Sequence, residues 1–151
     1  MYRVARYRLA LVREASIATT WDKTVRQSSD VAAFMRPLVA DLDRETFWVL
    51  MLDGKNRVIG VNLVSVGSLT AALVHPREIG KALILSNSAA AILVHQHPSG
   101  NPEPSSEDLA LTKRLCAVGD LLGIRILDHV ILGHEGAFRS LAEDGVIGGS
   151  R

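Results

Sequence analysis

A short apolar run near the middle of the chain constrains the fold more than any other feature. Residues Ala89–Val94 read AAAILV and contain no polar side chain. A strand with one face in water alternates apolar and polar residues, whereas a continuous apolar run is typical of a strand covered on both faces. Covering both faces requires packed layers above and below the sheet. The run therefore predicts an α/β domain with helices on both sides of a sheet.

The segments on either side of this run alternate between strand and helix patterns. A turn sequence over residues 53–56, DGKN, separates two strand-like runs and predicts a hairpin. The patterns predict helices from Ser28, from His75 and over Ser106–Leu122, and strands over Thr46–Leu52, Val58–Val66, Ile124–Leu132 and Ala137–Ser140. With 151 residues, 48% of them hydrophobic, the chain is long enough for one domain with a substantial core. We expect a single mixed sheet.

The first 27 residues differ from the rest in pattern. Tyr2–Val12 has an alternating pattern, which predicts a strand or an extended arm that packs on the core. Ser16–Gln27 is polar and resembles a loop. We therefore divide the chain into an N-terminal strand or arm, residues 1–27, and a core domain, residues 28–151.

Charge and cysteine content narrow the classes of function. Seventeen basic and sixteen acidic residues leave a formal net charge of +1, which argues against a general nucleic-acid binder. No apolar run approaches the roughly 18–20 residues of a membrane span, and no apolar segment of a signal peptide follows the basic N-terminus. The single cysteine, Cys116, excludes an intramolecular disulfide and a thiolate zinc cage. We expect a cytoplasmic protein without membrane contact, in which histidines and carboxylates hold any metal.

The segment from His95 to Asp108 holds the densest group of chemically active side chains. We place residues 95–104 in a loop stiffened by three prolines, between the buried strand and the helix that follows. Residues two apart on a strand point the same way, so His95 and His97 can present both imidazoles to one point at the strand's end. The loop returns the chain towards that point, where Asp108 lies in the first helical turn. The helix dipole there favours an ionised carboxylate.

Two imidazoles and one carboxylate form a three-ligand set that leaves a fourth position for water. This arrangement is typical of a catalytic rather than a structural zinc, although iron, manganese or nickel accept similar ligands. Simpler interpretations compete with it. A histidine at a strand end is commonly a polar rim residue, and Ser105-x-x-Asp108 is also an ordinary capping box, which is compatible with metal binding. The position of the histidine pair between a buried strand and a capped helix favours a metal site.

The spacing of these residues resembles a known signature. His95-x-His97, seven residues, Ser105, two residues and Asp108 match without a gap the H-x-H-x7-S-x-x-D pattern of the JAMM (MPN+) metalloproteases. The resemblance implies that His95, His97 and Asp108 bind one zinc ion. It also implies that Ser105 donates a hydrogen bond to the oxyanion of a tetrahedral intermediate, a task that suits a fixed donor.

The longer string HQHPSGNPEPSSED, with PREI at Pro76–Ile79 and LDHVILG at Leu127–Gly133, is similar to the RadC family in particular. The resemblance extends from about Ser28 to Leu141. It implies the JAB1/MPN fold, a three-layer α-β-α sandwich with a mixed sheet that is related to the cytidine deaminase fold. Many RadC-like chains carry an N-terminal helix-hairpin-helix domain, and residues 1–27 are too few to hold one. We therefore expect a standalone domain.

The signature also implies an upstream glutamate that acts as general base on the water. We assign Glu45 to this role, because it stands at the start of the Thr46–Leu52 strand, where the family places its glutamate. A carboxylate beside a metal can accept the water proton and pass it to a leaving amine. Glu78 is the alternative, although it is better explained as an acidic residue in the first turn of a helix.

Asp128 and His129 are adjacent in a predicted strand, so they point to opposite faces and at most one of them faces the site. Orienting a ligand imidazole is one interpretation, and a hydrogen-bonded structural pair is the other. We leave both residues outside the predicted site.

Three functions compete for this sequence. The first is a JAMM-type peptidase or isopeptidase acting on a protein or peptide, and the second is a non-catalytic protein-interaction or DNA-repair accessory module of the RadC family. The third, a nucleobase deaminase, is rejected because such enzymes use H-x-E with P-C-x-x-C. This chain has His97 in place of that glutamate and lacks the cysteine pair. The sequence leaves the oligomeric state open.

Overall fold

Three helices and five strands make up the regular structure of residues 1–67 and 74–148, which are the residues that the computed structural model describes. In chain order the elements are α1 (Ser28–Val39), β1 (Thr46–Leu52), β2 (Val58–Val66), α2 (Pro76–Leu85), β3 (Ala90–Gln96), α3 (Ser106–Leu122), β4 (Arg125–Leu132) and β5 (Phe138–Ser140). The bounds of β1, β2 and α3 are those predicted from the sequence. Within the described ranges, each helix is too short or too polar to cross a membrane.

The strands form one mixed sheet in the order β2-β1-β3-β4-β5. β1 is antiparallel to both β2 and β3, whereas β3 runs parallel to β4, and β4 is antiparallel to β5. Two consecutive parallel strands need a crossover connection, and α3 provides it between β3 and β4. The predicted mixed sheet is confirmed, with β3 as a central strand paired along both edges.

Alternate residues of the central strands pack against helices on opposite sides of the sheet. On one face, Leu93 of β3 joins a buried cluster with Ile79 of α2 and Leu115 of α3. On the other face, the neighbouring Ile92 joins a second cluster with Met35 of α1. The sheet is therefore covered on both sides, and the predicted three-layer α-β-α sandwich is confirmed.

Strand β3 continues two residues beyond the apolar run that predicted it. His95 pairs with Phe47 of β1 and with Ile131 of β4, and Gln96 pairs with Leu132. The expectation that the loop begins at His95 is wrong, because backbone pairing, with both neighbouring strands at His95 and with β4 at Gln96, keeps these polar residues in the strand. His95 is consequently a buried residue of the sheet, and the loop begins at His97.

The N-terminal strand predicted over Tyr2–Val12 is absent. Residues 1–20 have no regular secondary structure and are exposed, so they do not pack on the core as predicted. Alternating residues form a strand only where a neighbouring strand accepts their hydrogen bonds. In the described chain, the segment before α1 pairs with the start of β2 only around Thr24, which forms a bridge with Arg57. The division of the chain at residue 28 stays a prediction.

Stability tests the burial of β3 directly. We expect Leu93→Ala to lower the free energy of unfolding by about 2–5 kcal/mol, because it leaves a cavity in a fully buried cluster. The matched control is Leu121→Ala on α3, whose side chain is 86% exposed and whose loss costs about 0.5 kcal/mol or less. Chemical denaturation of the metal-free proteins measures both. Equal losses in the two variants would contradict the assignment of β3 to the core.

Candidate metal centre

The three predicted ligands come from the end of β3 and the start of α3. His95 lies within β3, His97 is the first residue after it, and Asp108 is the third residue of α3. The His97 N–H donates to the carbonyl of Leu132 at 3.0 Å, which ties the start of the loop to the end of β4. The proline-containing loop then leads directly into the first turn of α3. Residues that are local in sequence therefore meet at one end of the sheet.

The donor atoms of these residues converge on one point. The Nε2 atoms of His95 and His97 lie 2.9 Å apart, and Asp108 carboxylate oxygens lie 3.4 Å and 3.1 Å from them. Ligands bound tetrahedrally at about 2.0–2.1 Å stand roughly 3.3 Å apart, so the separations fit a small divalent ion. Two imidazole lone pairs facing each other at 2.9 Å also repel unless a proton or cation lies beside them. The group could bind a metal ion.

The protonation of His97 is set by two contacts. Its Nδ1 lies 2.8 Å from the Asn101 carbonyl oxygen, which can only accept, so Nδ1 carries a proton and donates it. Nε2 is then the atom that faces Asp108 and His95. The hydrogen bond with Asp108 raises the pKa of His97 despite its partial burial. Below this raised pKa, a proton on Nε2 occupies, in the metal-free protein, the position that a cation would take.

Burial and hydrogen bonding act on the other two residues in opposite directions. Burial lowers the pKa of His95, whose side chain is fully enclosed, although Asp108 opposes that shift. Burial alone would raise the pKa of Asp108. The close approach of the His95 and His97 imidazoles and the hydrogen bond from the Ser105 N–H outweigh it and hold this pKa well below its usual range. His95 is therefore neutral and Asp108 is ionised at neutral pH, which are the forms that bind a metal.

Ser105 and Asp108 form the predicted capping box. The Ser105 hydroxyl accepts the Asp108 N–H at 3.1 Å, and the Asp108 carboxylate accepts the Ser105 N–H at 2.9 Å. This reciprocal pair satisfies two donors at the helix start and fixes the carboxylate beside the imidazoles. The Ser105 hydroxyl keeps its own proton and can still donate a hydrogen bond. The capping and ligand interpretations of this motif are thus compatible.

The loop between His97 and α3 is held by the turn after β4. His134 donates its N–H to the Gly100 carbonyl at 3.0 Å, so the two backbones lie in contact. Gly133 permits this approach, because a Cβ at that position would collide with the Gly100 carbonyl oxygen and lie 2.9 Å from the Cδ of Pro102. The turn after β4 therefore packs against the loop that follows His97 and holds it in position.

Glu45 lies beside the cluster at the start of β1. The antiparallel register pairs Phe47 with His95, and Glu45 lies two residues before Phe47, just outside β1. The Glu45 charge adds to the Asp108 hydrogen bond in raising the pKa of His97. A cavity of about 480 Å³ is lined by Glu45 and Pro98 together with Asp43, Arg44 and Gly67. Glu45 thus lines a cavity and is close enough to His97 for its charge to act there.

Gln96, between the two histidines, fixes the backbone on both sides of Glu45. Its side-chain oxygen accepts hydrogen bonds from the N–H and the hydroxyl of Thr46, and its amide nitrogen donates to the Arg44 carbonyl at 2.6 Å. A buried amide with these partners holds the strand start in place. The alternative base, Glu78, is engaged elsewhere, because its carboxylate accepts a hydrogen bond from Lys81 at 2.9 Å on the surface of α2.

His129 contacts the group although it was left outside the predicted site. Its Nε2 lies 2.7 Å from His95 Nδ1, and its Nδ1 lies 2.6 Å from the Thr112 hydroxyl. Asp128 points the other way, accepts hydrogen bonds from Ser140 and Ala142, and has a pKa that burial raises. The predicted opposition of the two side chains is confirmed. Thr112 was missed, because helical spacing shows that it lies one turn after Asp108 but not which side chain it meets.

Comparison with known proteins places this geometry in a family. The sequence matches the RadC-like JAB domain over residues 25–146. The chain belongs to this family. The resemblance inferred from HQHPSGNPEPSSED and LDHVILG is thereby confirmed, and the α-β-α sandwich agrees with the JAB1/MPN fold.

Curated relatives of the family carry the name UPF0758 protein. They are 47% identical over 126 residues in Desulforudis audaxviator, 44% over 138 residues in Methanococcoides burtonii and 48% over 118 residues in Methanosarcina acetivorans. The alignments cover 83%, 91% and 78% of this chain, but 54%, 60% and 51% of the relatives. The chain therefore spans between half and three-fifths of the length of these relatives.

The pH dependence of metal binding follows from the protonation of His97. Because Asp108 raises the pKa of His97, the metal must displace a proton from it at any pH below that raised pKa. We expect zinc affinity to rise about tenfold per pH unit below this pKa and to level off above it. Competition with a chelator between about pH 5.5 and 8.5, corrected for protonation of the chelator, measures the affinity. An affinity that does not change with pH would contradict the assignment.

Proposed function

We propose that the chain is a zinc-dependent hydrolase of the JAMM type that cleaves a peptide or isopeptide bond. The convergence of two imidazole nitrogens 2.9 Å apart on a carboxylate whose two oxygens lie 3.4 Å and 3.1 Å from them carries the proposal. Neutral imidazole and carboxylate suit zinc, and three protein ligands leave one position for water. One zinc ion per chain would be held by His95, His97 and Asp108. Membership of the RadC-like JAB family supports the same proposal.

Zinc held by these side chains would supply a Lewis acid that acidifies water and polarises an amide carbonyl. Glu45 takes the proton of the attacking water as a new C–O bond forms at the carbonyl carbon. It then delivers that proton to the amine as the C–N bond breaks. Ser105 donates its hydroxyl proton in a hydrogen bond to the oxygen on which negative charge develops. No further co-reactant is required, because water supplies the atoms that are added.

The surroundings of His97 support an extended substrate. A second cavity, of about 600 Å³, adjoins His97 and is lined partly by residues of α1 and of the turn after β4. It shares the lining residues Asp43 and Pro98 with the cavity beside Glu45, so the two cavities adjoin. Two adjoining cavities beside the ligands offer more room than a small molecule needs, which favours a protein or peptide chain. We therefore propose a protein or peptide substrate, encountered in the cytoplasm.

Replacement of the base tests the proposed function. In the zinc-loaded protein, screened against peptide and isopeptide substrates, we expect Glu45→Gln to reduce kcat at least about 100-fold, because the amide cannot accept the water proton. The zinc content should be unchanged, because Glu45 is not a proposed ligand. Glu78→Gln is the matched control, since it removes the other acidic residue considered for this role and should keep full activity.

Three outcomes would contradict the proposal in different ways. Loss of activity in Glu78→Gln but not in Glu45→Gln would show that the base is wrongly assigned. Wild-type activity in both variants would exclude a general base at either position. A zinc-loaded wild type that cleaves no member of the peptide and isopeptide panel would favour the alternative, a non-catalytic protein-interaction or DNA-repair accessory module.

A further inference from the structure

A chain of buried hydrogen bonds runs behind His95, on the side away from the other two ligands. It passes from His95 Nδ1 to His129 Nε2 at 2.7 Å, from His129 Nδ1 to the Thr112 hydroxyl at 2.6 Å, and from that hydroxyl to the Asp108 carbonyl at 2.6 Å. His95, His129 and Thr112 are all 0% exposed. This series of hydrogen bonds therefore begins at the side chain of one proposed ligand, His95, and ends at the backbone of another, Asp108.

The chemistry of its last member fixes the direction of every bond in the chain. A carbonyl oxygen only accepts, so the single hydroxyl proton of Thr112 is donated to Asp108. The Thr112 oxygen then accepts a proton from His129 Nδ1. A neutral imidazole has one N–H, so His129 Nε2 has a lone pair and accepts from His95 Nδ1. His95 in turn has its lone pair on Nε2, the atom that faces His97 and Asp108.

We infer that Thr112 and His129 are positioning residues that fix the tautomer and ring orientation of His95, so that its Nε2 is presented to the metal. The inference rests on the proposed function, because it assigns Nε2 as the ligand atom. Metal-bound histidines commonly donate their other ring N–H to a fixed acceptor. The Asn101 carbonyl fills that role for His97. For His95 the acceptor is another histidine, whose own tautomer is set by Thr112.

Packing around this chain of hydrogen bonds excludes water from it and holds its side chains rigid. Phe47 stacks on the His95 ring, with centroids 5.8 Å apart and planes 17° apart, and meets the His129 ring edge-on at 5.4 Å. With water excluded, a broken bond leaves a buried polar atom without a partner, so the chain resists rearrangement. The hydrogen-bond chain also joins β3, which contains His95, to α3, which contains Thr112. The two elements that bear the ligands are thereby linked behind the metal position.

A matched pair of substitutions separates this role from simple packing. Thr112→Val keeps the shape of the side chain and removes the hydroxyl, whereas Thr112→Ser keeps the hydroxyl and removes the methyl group. We expect zinc affinity, measured by chelator competition, to fall about tenfold or more in Thr112→Val and to stay within about threefold of wild type in Thr112→Ser. A packing role predicts the reverse order, with the serine variant the weaker binder. Wild-type affinity in Thr112→Val, or equal losses in both variants, would overturn the inference.

A second measurement needs no variant and no metal. Long-range ¹⁵N–¹H NMR spectra of the metal-free wild type distinguish the histidine tautomers. The inference requires the proton of both His95 and His129 to be on Nδ1, and a proton on Nε2 of either neutral ring would overturn it. If the wild type binds no zinc, the proposed function fails, while the spectra still decide the direction of the hydrogen bonds between His95, His129 and Thr112. If wild type binds zinc and Thr112→Val binds it equally well, only the inference fails.

Discussion

Strand β3 is hydrogen-bonded along both edges and covered by helices on both faces, and the position of every group at the metal centre is set relative to it. Pairing with β1 and β4 extends to His95, so this histidine has the rigidity of the core instead of the mobility of a loop. The same pairing brings Glu45 from one neighbour and His129 from the other. Burying an imidazole this deeply requires hydrogen bonds for both ring nitrogens. His129 provides one of them, and His97, Asp108 and the proposed metal lie around the other.

Asp108 connects the metal centre to the start of α3. Its carboxylate is nearly buried, and a buried charge is costly unless it is paired and hydrogen-bonded. In the metal-free protein the Ser105 N–H donates to it, and below the raised pKa of His97 the protonated His97 imidazole donates to it and balances the charge. A divalent cation would replace that proton and compensate the carboxylate more fully. Helix capping and the proposed metal binding would therefore use the same carboxylate, which would make the H-x-H and S-x-x-D halves of the motif interdependent.

The sequence predicts the parts of the site that depend on local chemistry. Turn residues, the capped helix and the apolar run locate the elements, and the proline-containing loop brings His95, His97 and Asp108 together over 14 residues. The partners of His129 and Thr112 depend on the offset between the parallel strands β3 and β4, which no local pattern encodes. The failed N-terminal strand has a related cause, because alternation cannot reveal whether a sheet edge is present to pair with it.

Metal content tests the central claim most directly. The chain, purified without added metal and then supplied with zinc, should hold about one zinc ion per molecule by elemental analysis. Asp108→Asn should lose the zinc ion, because the amide can still cap α3 but carries no charge to bind a metal. The control Asp120→Asn, on the exposed side of the same helix, should keep the zinc ion. A wild type without zinc, or equal zinc in Asp108→Asn, would contradict the account.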